Sequence, residues 1–456
     1  MVLAPASASS AVDNRVAFLD HASLLRLRAT GFETVAQVTW VYDRAVDMDR
    51  LRQFNQNLGY GLLGRRIERS PLPFGRPRWV AYHEPTEIDI APAPRPRAEV
   101  GAWKAERAQV PVNPEHGPCW HLAVLPLEDG GTAVTMVSSH TVVDGIALGI
   151  SIYEAIHDIR RDLGYPPPRS RSRRQGLLAD ALDTIRGLPQ VVLALVACIM
   201  ILLKSRKDAA SQTDLPRSAK TNFGDEPIEV PSVTLCCDLD AWDARALEFG
   251  GSSNSLFIAF AARLAQHLGR VSPVDGAVTI TVPVSERGPD DVRGNALTAA
   301  TFRLDPDRAA TDLQVVGNEM KRSLAALEHT PNELLKPLPL VPFTPKWAVR
   351  RLEGMAIGGA DLPVCCSNVR QLTEALKRID GADCDYGYAR LFNQGATKQR
   401  MENAGGELYL FSGRVNGQIF ISVSAYQPGA ENSNENVREL IEQTLADYGL
   451  TAARYE

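Results

Sequence analysis

The stretch 120–159 constrains the fold more than any other part of the chain. Two short apolar runs, 122–127 and 133–137, flank the turn Glu128-Asp-Gly-Gly131 and read as a hairpin. Directly after it, residues 146–159 carry apolar side chains at helical spacing. Between the two lies Ser138-Ser-His140-Thr-Val-Val-Asp144-Gly145. A strand-to-helix junction holds a side chain rigidly while exposing it to a cavity, so His140 is the first residue to examine for chemistry.

The bulk numbers narrow the class. With 456 residues, 45% of them apolar, the chain can fill two ordinary domain cores. A net charge of -5 gives no reason to expect nucleic acid as a partner. The seven cysteines include two adjacent pairs, Cys236-Cys237 and Cys365-Cys366; they show no metal-ligand spacing, and their odd number argues against a full disulfide set. No metal is expected, and no cysteine sits in a motif that would activate it as a nucleophile. Residues 1–14, rich in Ala and Ser, read as a disordered tail rather than a signal peptide. The expected location is cytoplasmic, with a peripheral site at the inner membrane face or on lipid droplets as the second option. GxxxxGK[ST] and GxGxxG are both missing, so nucleotide-driven chemistry is poorly supported.

The organisation reads as two halves joined by an odd crossover. Domain boundaries are placed at 15–168 for the half carrying His140, 169–229 for the crossover and 230–456 for the second half. In the first half, 18–25 reads as a short helix, 35–42 as a strand, and 47–58 as a helix with Leu51, Phe54 and Leu58 on one face. In the second, 233–237 and 277–282 read as strands, the latter stopping at Pro283. Residues 239–249 and 255–269 read as helices, the second capped by Ser252 or Ser253. A hairpin is expected around Asn416-Gly417, with a closing helix at 436–448. Strands and helices alternate without a βαβ rhythm, which implies an α+β fold, duplicated in the two halves.

The crossover contains the longest apolar run, thirteen residues at 191–203, followed by Lys204, Arg206 and Lys207 and preceded by Arg169, Arg171, Arg173 and Arg174. At thirteen residues the run is short of the ~20 that a bilayer span needs. It reads as a buried helix beside a solvated basic linker. The alternative is a surface in 169–207 that docks peripherally on anionic lipid, or a run that lines an internal tunnel.

The 138–145 segment resembles the HHxxxDG motif of the CoA-dependent acyltransferase superfamily, and other segments resemble that family in the right order. Gly117-Pro-Cys-Trp120 is similar to its Pro-Leu-Trp motif and Ser252-Ser-Asn-Ser255 to its Asn-Asp motif, with Ser255 in place of aspartate. Val282-Pro-Val-Ser-Glu-Arg287 with Gly294-Asn295, and Cys366-Ser-Asn-Val369, resemble three more of its segments. Asp385-Tyr-Gly-Tyr-Ala389 resembles the DFGWG element of the condensation and acetyltransferase branches, where it is a structural loop remote from the chemistry. The wax ester synthase/diacylglycerol acyltransferase branch is the nearest resemblance.

That resemblance implies two chloramphenicol-acetyltransferase-like α/β sandwich domains forming a V-shaped cleft with a central tunnel. It implies acyl transfer from a thioester, acyl-CoA or an acyl carrier protein serving as co-substrate, to a hydroxyl acceptor of lipidic kind, a long-chain alcohol or diacylglycerol. No permanently bound cofactor is expected. His140 would be the general base, since an alcohol is a poor nucleophile at neutral pH and imidazole titrates nearby. Asp144 would pair with Arg287 and orient the loop, and Gly145 would allow a tight turn into the helix. Asn295, Ser367 and Asn368 would supply groups for the oxyanion. Ser139 departs from the pattern, standing where catalytic members carry another histidine. The remaining histidines, His21, His83, His116, His121, His157, His267 and His329, show no catalytic spacing. Two alternatives stand beside this reading: a condensation-type enzyme joining a carrier-bound acyl group to an amine or alcohol, and a catalytically silent lipid- or partner-binding protein. The oligomeric state is not legible.

Overall fold

A computed structural model describes residues 12–84, 86–211, 224–329, 332–356, 362–369 and 375–456. Most of the tail expected at 1–14, and residues 212–223 of the crossover, lie outside the described residues.

The first half contains α1 (Phe18–Thr30), β1 (Glu33–Tyr42), α2 (Met48–Leu58), β2 (Arg65–Glu68), β3 (Arg78–Ala81), β4 (Asp89–Ile90), α3 (Val100–Ala108), β5 (Trp120–Pro126), β6 (Thr132–Ser139) and α4 (Gly145–Ile156). The long helix α5 (Arg173–Ser211) follows. The second half begins with β7 (Ser232–Asp238), α6 (Leu239–Glu248), α7 (Ser253–His267), β8 (Val278–Ser285), β9 (Leu297–Leu304), α8 (Pro306–Thr311), α9 (Leu313–His329), α10 (Lys346–Ala356) and β10 (Val364–Asn368). It ends with β11 (Tyr386–Gln394), α11 (Lys398–Asn403), β12 (Glu407–Val415), β13 (Gln418–Tyr426), α12 (Asn434–Asp447) and β14 (Arg454–Tyr455).

Sequence chemistry explains these elements locally. The Asp47 carboxylate accepts from the backbone of Asp49 and Arg50 and starts α2, which buries Leu51, Phe54 and Leu58 completely or nearly so. Each such side chain contributes roughly 1.5–3 kcal/mol by leaving water. Ser252 caps α7 by accepting from the Ser255 amide. Asn416 and Gly417, at φ 49° and 70°, turn β12 into β13 in the left-handed conformation that these residue types tolerate.

Two larger sheets carry the fold. One has the order β11-β1-β6-β5-β4, the other β14-β7-β13-β12-β10-β8-β9, and β2 and β3 form a separate ribbon. The α+β character expected from the sequence is thus present in both halves. One strand crosses over: β11, from the second half, lies antiparallel to β1 from Glu33 opposite Gln394 to Val41 opposite Tyr386. The first half's core accordingly includes Tyr386, Tyr388, Ala389, Phe411 and Phe420.

Two expectations are corrected here. β8 does not stop at Pro283 but runs to Ser285, because among the described residues only β9 borders it there: β10 pairs with β8 at Ile280 and Thr281, so the missing proline N–H deprives no described ladder partner. The apolar run 191–203 is not a buried core helix. It belongs to α5, whose outer face is open to solvent at Leu193, Val196 and Met200, and it does not line the central cavity.

Candidate active site

The strand β6 ends where its hairpin partner and β1 both still hold it, and this fixes the His140 loop. The amides of Ser139 and His140 donate to the carbonyls of Cys119 and Thr34. Ser139 itself is fully buried, its hydroxyl donating to the Glu33 carboxylate, which also accepts from Thr141 Oγ1 at 3.1 Å. Burial pushes Glu33 above its ordinary range, offset by these two hydroxyls. Ser139 is therefore a bracket that fastens the loop to β1, a role the sequence did not disclose. The signal for it was Glu33 opening a strand that otherwise buries its side chains.

Asp144 is the N-cap of α4. One carboxylate oxygen accepts from the Ala147 amide at 2.7 Å; the other accepts from Arg287 Nη2 at 2.7 Å and from the Ala296 amide at 2.9 Å. Arg287 also donates from Nη1 to the carbonyls of Asp291 and Arg293 and from Nη2 to that of Gly294. The pair is buried and joins the two halves directly beneath the histidine loop. A second tie lies beside it: the Asp20 carboxylate accepts from both the Gly294 and Asn295 amides and from Asn295 Nδ2. Burial raises the Asp20 pKa, with the Asn295 side chain acting against it.

Asn295 also donates from Nδ2 to the His140 carbonyl at 2.9 Å. Both of its amide hydrogens are thus spent on Asp20 and His140, which corrects the expectation that it serves an oxyanion: it positions the loop. Gly145 differs from expectation as well. It has no left-handed φ, and an added Cβ would meet only Val369 Cγ1 at 3.7 Å, so the turn into α4 does not need a glycine.

His140 lines a cavity of about 350 Å³ between the halves. The first half supplies Ala36, Val38 and Trp40 from β1 with Leu148 and Ile152 from α4, and the second supplies Leu297, Tyr409, Phe411 and Phe420. Ser285, Ser367 and Asn368 give it polar patches, and Asn368 Nδ2 donates to Asn254 Oδ1 at the head of α7. Gly387, Tyr388 and Ala389 also border it. The Asp385–Ala389 motif is therefore the start of a strand along the cavity wall, not a remote loop, because pairing with β1 carries it there.

Electrostatics favour a neutral imidazole. Burial holds the His140 pKa below its ordinary value of 6.5, opposed by the Asp144 charge and by the residue's own backbone carbonyl. The thiols of Cys119, Cys236, Cys237, Cys365 and Cys384 are pushed up to about 12 by burial, so they are poor nucleophiles at neutral pH.

No family model matches the sequence, and no curated protein matches it. The fold, in contrast, is shared with solved structures. "Wax ester synthase/diacylglycerol acyltransferase from Marinobacter aquaeolei VT8" aligns with 95% of this chain and 98% of its own, at TM-score 0.53 and 15% identity. Polyketide synthase associated protein 5 from Mycobacterium tuberculosis aligns with 96% of this chain and 98% of its own, at TM-score 0.54 and 15% identity. The first condensation domain of the calcium-dependent antibiotic synthetase aligns with 98% of this chain and 100% of its own, at TM-score 0.57 and 15% identity. The chain has the fold common to these acyltransferase and condensation proteins.

Proposed function

We propose that this protein is an acyltransferase that moves an acyl group from a thioester to a hydroxyl acceptor, with His140 as general base. The observation that carries the reading is the placement of His140, held by backbone contacts on two strands, on the wall of a largely apolar cavity between the halves. The residue's own carbonyl engages the ring, and in this reading it holds Nδ1 and leaves Nε2 to act as the base.

In this reading Nε2 takes the acceptor's O–H proton as its oxygen attacks the thioester carbonyl carbon. A C–O bond forms, negative charge collects on the carbonyl oxygen, and Ser367 and Asn368 are the groups suited to meet it. The C–S bond then breaks, and the imidazolium returns its proton to the departing thiolate. The aliphatic and aromatic lining favours a lipidic chain, and the wax ester synthase-like branch is the preferred assignment.

The test is thiol release from acyl-CoA with a long-chain alcohol or diacylglycerol. Release by wild type but not by His140→Ala supports the reading. The fold shared with a condensation domain favours a second reading, in which the donor is carrier-bound and the acceptor an amine or alcohol. Turnover with an acyl carrier protein but not with acyl-CoA selects it. Failure with both donors, with His140→Ala binding lipid as well as wild type, marks a silent binder.

A further inference from the structure

The outer face of α5 is the largest feature that the acyl-transfer reading leaves unused. In its most apolar stretch of eighteen residues only 6% of the residues are buried. Leu178, Ile185, Val192, Leu193, Val196 and Met200 are all more than half exposed, and their spacing puts them on one side of the helix. The opposite side is occupied. Gly176 lies against Pro71, Ala194 is buried, and the Asp180 carboxylate accepts from Ser70 Oγ, Arg78 and Arg171. A helix with one flank seated on the protein from Gly176 to Ala194 lies flat, so it presents a stripe roughly 33 Å long rather than a span.

An aromatic pair flanks the seated side of the helix. Phe74, 54% exposed, stacks on Phe343 at 5.8 Å, and both border the groove against α5.

Charge identifies what covers this face. Asp180 and Asp183 are the only acids between Arg173 and Lys207, and both are turned inward onto Arg78. Exposed Arg169, Arg173 and Arg174 crowd the N-terminal end of the helix, where the helix dipole disfavours cations, so helix stability does not account for them. Arg186 is exposed along the helix, and Lys204, Arg206 and Lys207 lie near its other end. A second copy of α5 would set basic end against basic end in either orientation. Anionic headgroups match both ends while acyl chains take the stripe.

We propose that the outer face of α5, flanked by Phe74, docks the protein on the surface of an anionic bilayer. This goes beyond the acyl-transfer reading and is tested without substrate. The full-length protein is floated with phosphatidylcholine vesicles and with the same vesicles containing phosphatidylglycerol, at low and high salt. Salt-sensitive flotation with the anionic vesicles is expected. Arg169→Gln/Arg173→Gln/Arg174→Gln should weaken it on the order of 100-fold. Leu193→Asp/Val196→Asp should abolish flotation. All variants should keep the wild-type melting curve and, if the acyl-transfer reading holds, turnover on a short water-soluble substrate. No flotation of wild type, equal and salt-insensitive flotation with both vesicles, or an oligomer that Leu193→Asp/Val196→Asp converts to monomer would each overturn the proposal.

Discussion

Removing the Asp144–Arg287 pair is the sharpest test of how this site is built. Both side chains are almost fully buried, at 4% and 2% exposure. Asp144→Ala strands a guanidinium inside the protein, which costs about 3–5 kcal/mol. It also removes the cap of α4, for about 1 kcal/mol more. Arg287→Ala strands the carboxylate and frees the carbonyls of Asp291, Arg293 and Gly294, with a comparable cost of about 3–5 kcal/mol. In the double variant neither charge is left alone, so its cost should fall short of the sum by about 2–3 kcal/mol. Urea denaturation of the four proteins measures this cycle, with acyl transfer assayed under conditions where each is folded. A coupling near zero would refute the scaffold reasoning. So would an Asp144→Ala protein within about 1 kcal/mol of wild-type stability whose turnover has collapsed, because that result places Asp144 in the proton transfer itself.

Further outcomes follow from the same contacts. His140→Ala should lower kcat by roughly 10²–10⁴-fold without changing the melting curve. In wild type, kcat/KM should fall only below pH 6.5, since burial lowers the His140 pKa and the free base persists down to that lowered value. Ser139→His should destabilise the protein and leave turnover no higher, because position 139 has no exposure and its hydroxyl is engaged by Glu33; a faster Ser139→His enzyme would contradict this. Ala389→Phe should lower kcat/KM for long acyl chains more than for short ones by filling the cavity wall, read from competing donors of two lengths. Burial also pushes His121 down to about 4. The unfolded chain then binds its proton first, so stability is lost as pH falls from 6.5 towards 4, by about 3 kcal/mol in all. His121→Gln should flatten the pH–stability slope in that window by one proton.

Legibility varied with how local the cause was. Hairpins and capped helices were readable because a turn pair such as Asn416-Gly417, or a cap such as Ser252, acts within a few residues. The course of β8 through Pro283 was not, since it depends on which neighbour is absent at that point. The bracketing of Ser139 by Glu33 was hidden for the same reason: the two are 106 positions apart. Asp20 was hidden as well, reading as one acid in an ordinary helix until Gly294 and Asn295 are brought to it.

By itself the sequence determined the strand, histidine and helix of the 138–145 junction, the α+β class, and the pairing of Asp144 with Arg287 that the family resemblance implied. Each rests on short-range periodicity or on an ordered set of motifs that survives in one dimension. Tertiary structure alone decided what surrounds His140. It paired β11 with β1 and so brought the 385–389 segment to the cavity, committed Asn295 to holding the loop, and turned the apolar face of α5 outward. A helix shows its apolar stripe in its sequence, but whether that stripe meets protein or solvent depends on which surfaces the rest of the chain leaves to receive it.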